Sequence, residues 1–446
     1  MNRVNPGNDE RHHRSTPARW IRRAAVGIVT AVSVLSASCA TSKIVGQNVQ
    51  RVANGQSVDT TGLKHAVSSD ANDAAANLEV LRRKFAEALA ALKTNVQQRW
   101  GQKDTKVADR TVYVKYTQGY KARVVTDFDH GKLTIETVDD KDPKGSLRTA
   151  IVAALLTSND PAAVDLFSDK DVTLEANRNP YLYGLVHDQN GKSVRTREQA
   201  EKFAGYLVAE RAQTRPVTGD EGAKTAHFVV VSMVKNFEAK GAEHYRTSVD
   251  KYAAQYQVSP SLVLAIMRTE SNFNPFAVSG APAYGLMQLV PTSGGRAAQK
   301  RVSGVDQTPT SDYLLDPEHN IQLGVAYLSV LSNDEIPAVT NQTTRDYCVI
   351  AAYNTGPHNV TRIFASDRAA AFNAINAQQP PELFEHLRTG LPMQETRDYV
   401  VKVTGHRKEF LTAPAVAPVA TPAPAQVAAP APVAVRPSGA APVAGH

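Results

Sequence analysis

Cysteine is almost missing from this chain: Cys39 and Cys348 are the two it carries among 446 residues. So little cysteine excludes a disulfide-stapled scaffold, and no Cys/His spacing suits a zinc site. Cys348 stands in the run Tyr347-Cys348-Val349-Ile350, which suits a small buried apolar residue better than a nucleophile. Charge of one sign is also scarce. The formal net charge of +7 falls to +3 when residues 1–38 are set aside, because their six arginines face only Asp9 and Glu10. That balance gives no ground for a nucleic-acid partner. Neither a metal-ligand cluster nor a phosphate-binding loop can be found, so no cofactor is expected. The uncharged apolar run near the N-terminus, Ala24 to Leu35, is too short to span a bilayer.

What that run does carry is an export pattern. Arg11, Arg14, Arg19, Arg22 and Arg23 precede it, and Ser36-Ala37-Ser38-Cys39 follows with small residues. Cys39 at this junction resembles the lipidated cysteine of a lipobox, although Ser36 stands where a leucine is usual. Residues 1–38 are therefore expected to be a lipoprotein signal peptide, with Cys39 the lipidation site and membrane anchor. A plain secreted protein is the alternative. Ala40 follows the cysteine, which points to a periplasmic protein held at the outer membrane. Residues 39–77 are polar, small and aperiodic, as in a tether.

Structure should begin at Leu78. Leu78, Leu81, Phe85, Leu89, Leu92 and Val96 repeat at three and four, the mark of an amphipathic helix. Strand patterns follow at Arg110 to Thr117, Ala122 to Phe128 and Lys132 to Val138, the last two flanking the turn Asp129-His130-Gly131. Helices are expected near Ser146 to Leu156 and Thr196 to Glu210, and a β-branched run at His227 to Val234. Mixed helices and antiparallel strands predict an α+β domain over 78–238. A mostly α-helical domain should fill 242–411, opening on Tyr245, Val249, Tyr252 and Tyr256. The Ala/Pro-rich remainder, 412–446, lacks the means to form a core and reads as a disordered tail.

The chemistry concentrates in Ser259 to Pro291. Ser259 and Pro260 suit an N-cap and first helical position. Leu262, Ile266 and Glu270 then fall four apart, with Val263 and Met267 beside the glutamate, so Glu270 belongs to an apolar face. Asn272, Asn274 and Pro275 end the helix directly after it. Burial and the negative end of the helix dipole both disfavour a carboxylate there, so the group should stay protonated near neutral pH and serve as a general acid. A rim position, with the carboxylate in water, is the competing reading.

The run Glu270-Ser271 through Phe273-Asn274-Pro275 to Ser279, then Gly285-Leu286-Met287-Gln288, resembles the first two motifs of the Slt-type lytic transglycosylases. Ala352-Tyr353-Asn354 and Glu395 through Tyr399 resemble a third and a fourth. The resemblance implies a lysozyme-like catalytic domain cutting peptidoglycan glycan strands, and the α+β domain before it is similar to that of lipid-anchored members. It implies Glu270 as acid and then base, Tyr399 as its hydrogen-bond partner, and Ser279, Gly285, Gln288, Tyr353 and Asn354 as substrate-binding residues. Val290 departs from members that carry a sugar-packing methionine there. The product would be a 1,6-anhydromuramoyl end formed without water. A mild positive balance suits a polymer bearing acidic peptides. A lysozyme-type hydrolase and a silent peptidoglycan-binding scaffold are the two alternatives.

Overall fold

The computed structural model describes residues 78–172, 179–280 and 283–412; the expected signal, Cys39, the tether and the Ala/Pro-rich tail lie outside them. Helix α1, Leu78–Asp104, buries Phe85, Leu92, Val96 and Trp100. It kinks at Gly101, whose φ of 71° puts a would-be Cβ 2.0 Å from the Thr218 carbonyl oxygen, so only glycine fits. Strands β1 (Val112–Thr117), β2 (Ala122–Asp127) and β3 (Lys132–Thr137) form an antiparallel meander, with Val114 opposite Val125 and Val125 opposite Thr134.

Two helices interrupt the sheet. Helix α2, Pro143–Leu156, starts three residues before its expected first residue, because Asp142 accepts the amide proton of Gly145 and Pro143 follows as a natural first residue. Helix α3, Arg197–Glu210, opens on a capping box between Thr196 and Gln199. Strands β4 (Gln213–Gly219) and β5 (Gly222–Ser232) then complete the order β1-β2-β3-β5-β4, with Ile135 opposite Val229. No strand was expected over β4: it carries Pro216 and few apolar residues. It is tolerated because β4 is an edge strand.

The sheet is covered on both faces. Leu147, Ile151 and Leu155 of α2 and Phe203 and Leu207 of α3 share a cluster with Tyr113, Leu133, Ile135 and Val229. Leu92, Val96 and Trp100 of α1 pack with Val114, Tyr116 and Val217. Along each strand, then, neither alternating set of residues is simply the solvent side.

The second half is helical among the described residues. It comprises α4 (Phe237–Tyr256), α5 (Pro260–Ser271), α6 (Arg296–Ser303), α7 (Ser311–Leu315), α8 (Pro317–Val330) and α9 (Gln342–Thr355). Helices α10 (Pro357–Arg362), α11 (Arg368–Asn376), α12 (Pro380–Gly390) and α13 (Gln394–Thr412) follow. Asp316 caps α8 and Asn341 caps α9, each by accepting a backbone amide three residues on. Helix α5 is the axis of this half. Leu262, Val263, Leu264, Ala265, Ile266 and Met267 are all buried, so the helix is apolar on every side rather than along one face. Val325, Ile350, Leu387 and Val400 from α8, α9, α12 and α13 share its cluster. None of the described helices is long and apolar enough to cross a membrane.

One apolar cluster runs across the two halves. Phe276 stacks on Tyr113 at 4.3 Å between ring centroids and meets Tyr181 edge-on at 5.2 Å. Val278, Tyr284 and Leu314 belong to the same cluster as the sheet residues.

Candidate active site

Glu270 is the penultimate residue of α5, and its side chain is buried because everything around that helix is. The helix stops at Asn272, which is left-handed at φ 45°, and Phe273 follows at φ 63°. Two successive non-glycine residues in that region store strain of about 1 kcal/mol or more each, held in place by packing. Asn272 is held by its amide, which donates to the Phe128 carbonyl at 2.6 Å. The chain after α5 is thereby tied to the segments that flank β1 and β2.

The carboxyl group has sparse company. Tyr399 of α13 donates its hydroxyl to Oε1 at 2.7 Å, and the Arg110 guanidinium, arriving from the lead into β1, lies 3.9 Å from Oε2. Burial is the largest influence and pushes the acid up to about 7, against smaller downward pulls from Tyr399 and Arg110 and an upward push from Glu395. Tyr399 is itself buried, and that burial raises its hydroxyl well above its ordinary value, so it remains a neutral donor.

The expected substrate residues occupy different stations around this centre. Tyr353 on α9 is brought in close: its hydroxyl donates to the Met287 carbonyl at 2.8 Å, tying α9 to the Gly285–Gln288 turn. Asn354 accepts a hydrogen bond from Thr396 on α13 at 2.7 Å, one turn from Tyr399. Gln288 is buried, left-handed at φ 45°, and donates its amide to Gly285 and Ala277 carbonyls at 2.9 and 3.2 Å, while its Oε1 has no partner. Ser279 is not among the hydrogen-bond partners of Glu270; its backbone amide meets the Ala283 carbonyl at 3.3 Å. Gly285, at φ 73°, does admit a close approach, but the protein itself makes it: a Cβ there would lie 2.5 Å from Asn320 Nδ2 and from the Leu314 carbonyl oxygen.

Three residues of the site were not singled out for it from the sequence. Asn320 is fully buried and accepts the Met287 amide at 2.8 Å while donating to Tyr284 and Leu314 carbonyls, so it fixes the whole turn. Its signal was a polar residue beside Ile321 in an apolar helix. Ser271 shares its proton between the carbonyls of Met267 and Leu286, at 3.0 and 2.8 Å, joining the end of α5 to the same turn. Arg110 gave no signal, since it comes from the opposite half of the chain. Cys348 is fully buried and its thiol is pushed up to about 12 by burial, which leaves it inert. No group of His, Cys, Asp and Glu suited to a metal occurs among the described residues.

Comparison with known proteins bears on this arrangement. Residues 78–244 match the family model for the N-terminal domain of membrane-bound lytic murein transglycosylase C, and residues 247–376 match the transglycosylase SLT domain. The proteins named membrane-bound lytic murein transglycosylase C in Yersinia pestis and Yersinia pseudotuberculosis are each 42% identical over 316 residues, 71% of this chain and 87% of theirs. Among solved structures, an inactive mutant of the lytic transglycosylase Slt from Pseudomonas aeruginosa is 29% identical over 38% of this chain and 25% of its own, with a TM-score of 0.29. The 70 kDa soluble lytic transglycosylase of Escherichia coli is 17% identical over 88% of this chain and 54% of its own, with a TM-score of 0.31. At such scores the superpositions carry no weight beside the sequence matches. With both family models in tandem and that identity across most of the relatives' length, the chain belongs to the membrane-bound lytic murein transglycosylase C family.

Proposed function

We propose that this peptidoglycan lytic transglycosylase uses Glu270 as its one proton-transfer group. The observation that carries the reading is a buried carboxyl group held near a pKa of about 7 with a tyrosine on one oxygen. Such a group is half protonated at neutral pH and can give a proton in one step and take one in the next. In the first step Glu270 protonates the glycosidic oxygen between N-acetylmuramic acid and N-acetylglucosamine, and the bond to the muramic anomeric carbon breaks. In the second, the 6-hydroxyl of the same muramic residue bonds to that carbon and returns its proton to Glu270. A 1,6-anhydro end results, no water is consumed, and the carboxyl group is regenerated. Attack from within one sugar gains from effective molarity, so a second protein carboxylate is not required.

Tyr399 orients the acid. Tyr353 braces the Gly285–Gln288 turn beside the acid, Asn354 offers its amide nitrogen to sugar while Thr396 holds its oxygen, and Gln288, its amide held by the Gly285 and Ala277 carbonyls, keeps that turn in shape for substrate. Ser279 and Gly285 bound the same turn. Lipid on Cys39 would hold the enzyme to the periplasmic face of the outer membrane, within reach of the cell wall. A hydrolytic second reading draws on Glu395, exposed on the first turn of α13, whose charge acts on Glu270 and which could activate water. Mass spectrometry of glycan ends released from purified sacculi tests the reading. Anhydro ends are expected; hydrated reducing ends would favour the hydrolase, and no released glycan would overturn both.

A further inference from the structure

Among the described residues, the α+β half reaches the candidate acid through one charged side chain. Arg110 lies just ahead of β1, and its guanidinium faces Glu270 Oε2 at 3.9 Å. Its backbone is pinned to the segment that follows α5: the Asn274 amide donates to the Arg110 carbonyl at 3.1 Å. On either side of Asn274, Asn272 donates to Phe128 and the Phe276 ring stacks on Tyr113. Three contacts with the β1 and β2 strands and their flanks thus fix where Arg110 stands. Resting on the assignment of Glu270 as acid and base, we infer that Arg110 is a positioning residue for the reaction, supplied by the α+β half to hold the Glu270 carboxylate as it forms.

The physics favours the transition state over the ground state. While Glu270 is protonated, Arg110 faces a neutral group and gains little. As the proton leaves, a carboxylate develops beside a guanidinium already in place, so the attraction grows along the reaction coordinate. The other groups facing Glu270 do not replace this. Tyr399 and Tyr353 are neutral phenols, and Glu395 repels the developing charge. Arg110 is about half exposed, so water weakens the attraction without abolishing it. The α+β half, which holds no acid or base of its own in this site, is then part of the catalytic apparatus.

The test uses the full chain on purified sacculi, comparing wild type, Arg110→Met, Arg110→Lys and Glu270→Gln. Anhydro ends are counted across pH, and the Glu270 carboxyl group is titrated by carbon NMR, its signal identified by its loss in Glu270→Gln. Arg110→Met should lower kcat about 10-fold while KM changes less than about two-fold. It should also move both the alkaline limb of the rate profile and the carboxyl titration to higher pH, by up to about one unit. Arg110→Lys, which keeps a charge, should restore most of both shifts. If Arg110→Met matches wild type in rate profile and titration while Glu270→Gln is inactive, the role of Arg110 is overturned and the assignment of Glu270 stands. If Glu270→Gln releases anhydro ends at the wild-type rate, both fall together. A kcat loss without either pH shift overturns positioning and leaves only a packing role.

Discussion

Among the described residues two glutamates are buried, and their surroundings are opposite. Glu136, on β3, is held by Arg123 Nε at 2.7 Å on one oxygen and by Arg215 at 2.9 and 3.0 Å on the other. Arg123 lies over the Trp100 ring, 3.8 Å from its centroid, and Arg215 also pairs with Asp104 at 2.7 Å. Glu270 has one tyrosine hydroxyl and one distant, half-exposed guanidinium. Burial therefore means different things at the two sites. In the sheet, desolvation is offset by two cations, and the ion pair becomes a fixture of the fold. At the end of α5 it is left largely uncompensated, and the uncompensated part is what lifts the acid to about 7.

The largest effect should come from removing the proton at the uncompensated site. Glu270→Gln keeps the shape and most of the packing but can neither give nor take a proton. Release of anhydro ends is expected to fall at least about 10³-fold, since one group serves both steps. Sacculus binding and the circular dichroism spectrum should be unchanged. Near wild-type release would remove Glu270 from the chemistry and end the contrast.

The reverse experiment breaks the compensated site. Arg123→Met leaves Glu136 buried with half its partners and should cost about 3–5 kcal/mol in urea unfolding. The alkaline limb of the activity profile should not move in whatever protein remains folded. Adding Glu136→Gln should recover part of the loss, because an uncharged pair no longer demands partners. A single variant as stable as wild type would mean that the ion pair is incidental.

How much of this was readable beforehand follows from the same contrast. Burial of Glu270 at a helix end was legible from local spacing: Leu262, Ile266 and Glu270 four apart, then Asn272, Asn274 and Pro275. Burial of Arg123 and Glu136 was not. Charged and polar residues set between apolar ones in a strand read as a solvent face, and only the packing of α1 over that face makes it interior. Strand β4 was hidden by Pro216, whose cost depends on whether the strand is an edge. The asparagines at 272 and 274 were legible as stop signals, yet their side chains reach Phe128 and Arg110 in the other half. Sequence periodicity reports a residue's own element; it does not report which distant element lies across from it.

The uncompensated glutamate should also make stability depend on pH. Glu270 has a folded-state pKa of about 7 against an ordinary 4.5, so the unfolded chain ionises first. Its contribution to stability is fully present below about pH 4.5 and lost as pH rises through about 7. The loss amounts to about 3 kcal/mol once both states are ionised. Urea unfolding of wild type and Glu270→Gln between about pH 4 and pH 8 isolates it. The variant should gain relative to wild type across that window. Parallel curves would show that the carboxyl group is better compensated than its surroundings indicate.

The smallest effect expected is at Tyr399, and it measures how little company Glu270 keeps. The Tyr399 ring is packed in the helical core, so Tyr399→Phe retains the body of the side chain and deletes one hydroxyl. That hydroxyl donates to Oε1 whether or not the acid is protonated, but more strongly to the carboxylate. Its loss should therefore raise the pKa of Glu270 further, in the direction opposite to its present pull. A hydrogen bond to a charged group is worth about 1.5–3 kcal/mol; here part of it is already made in the ground state, so the rate should fall only about 10-fold. The alkaline limb should move upward, and the products should remain anhydro ends. A loss as deep as that of Glu270→Gln would mean that Tyr399 moves a proton itself. No loss and no movement of the limb would leave the carboxyl group positioned by burial and Arg110 alone.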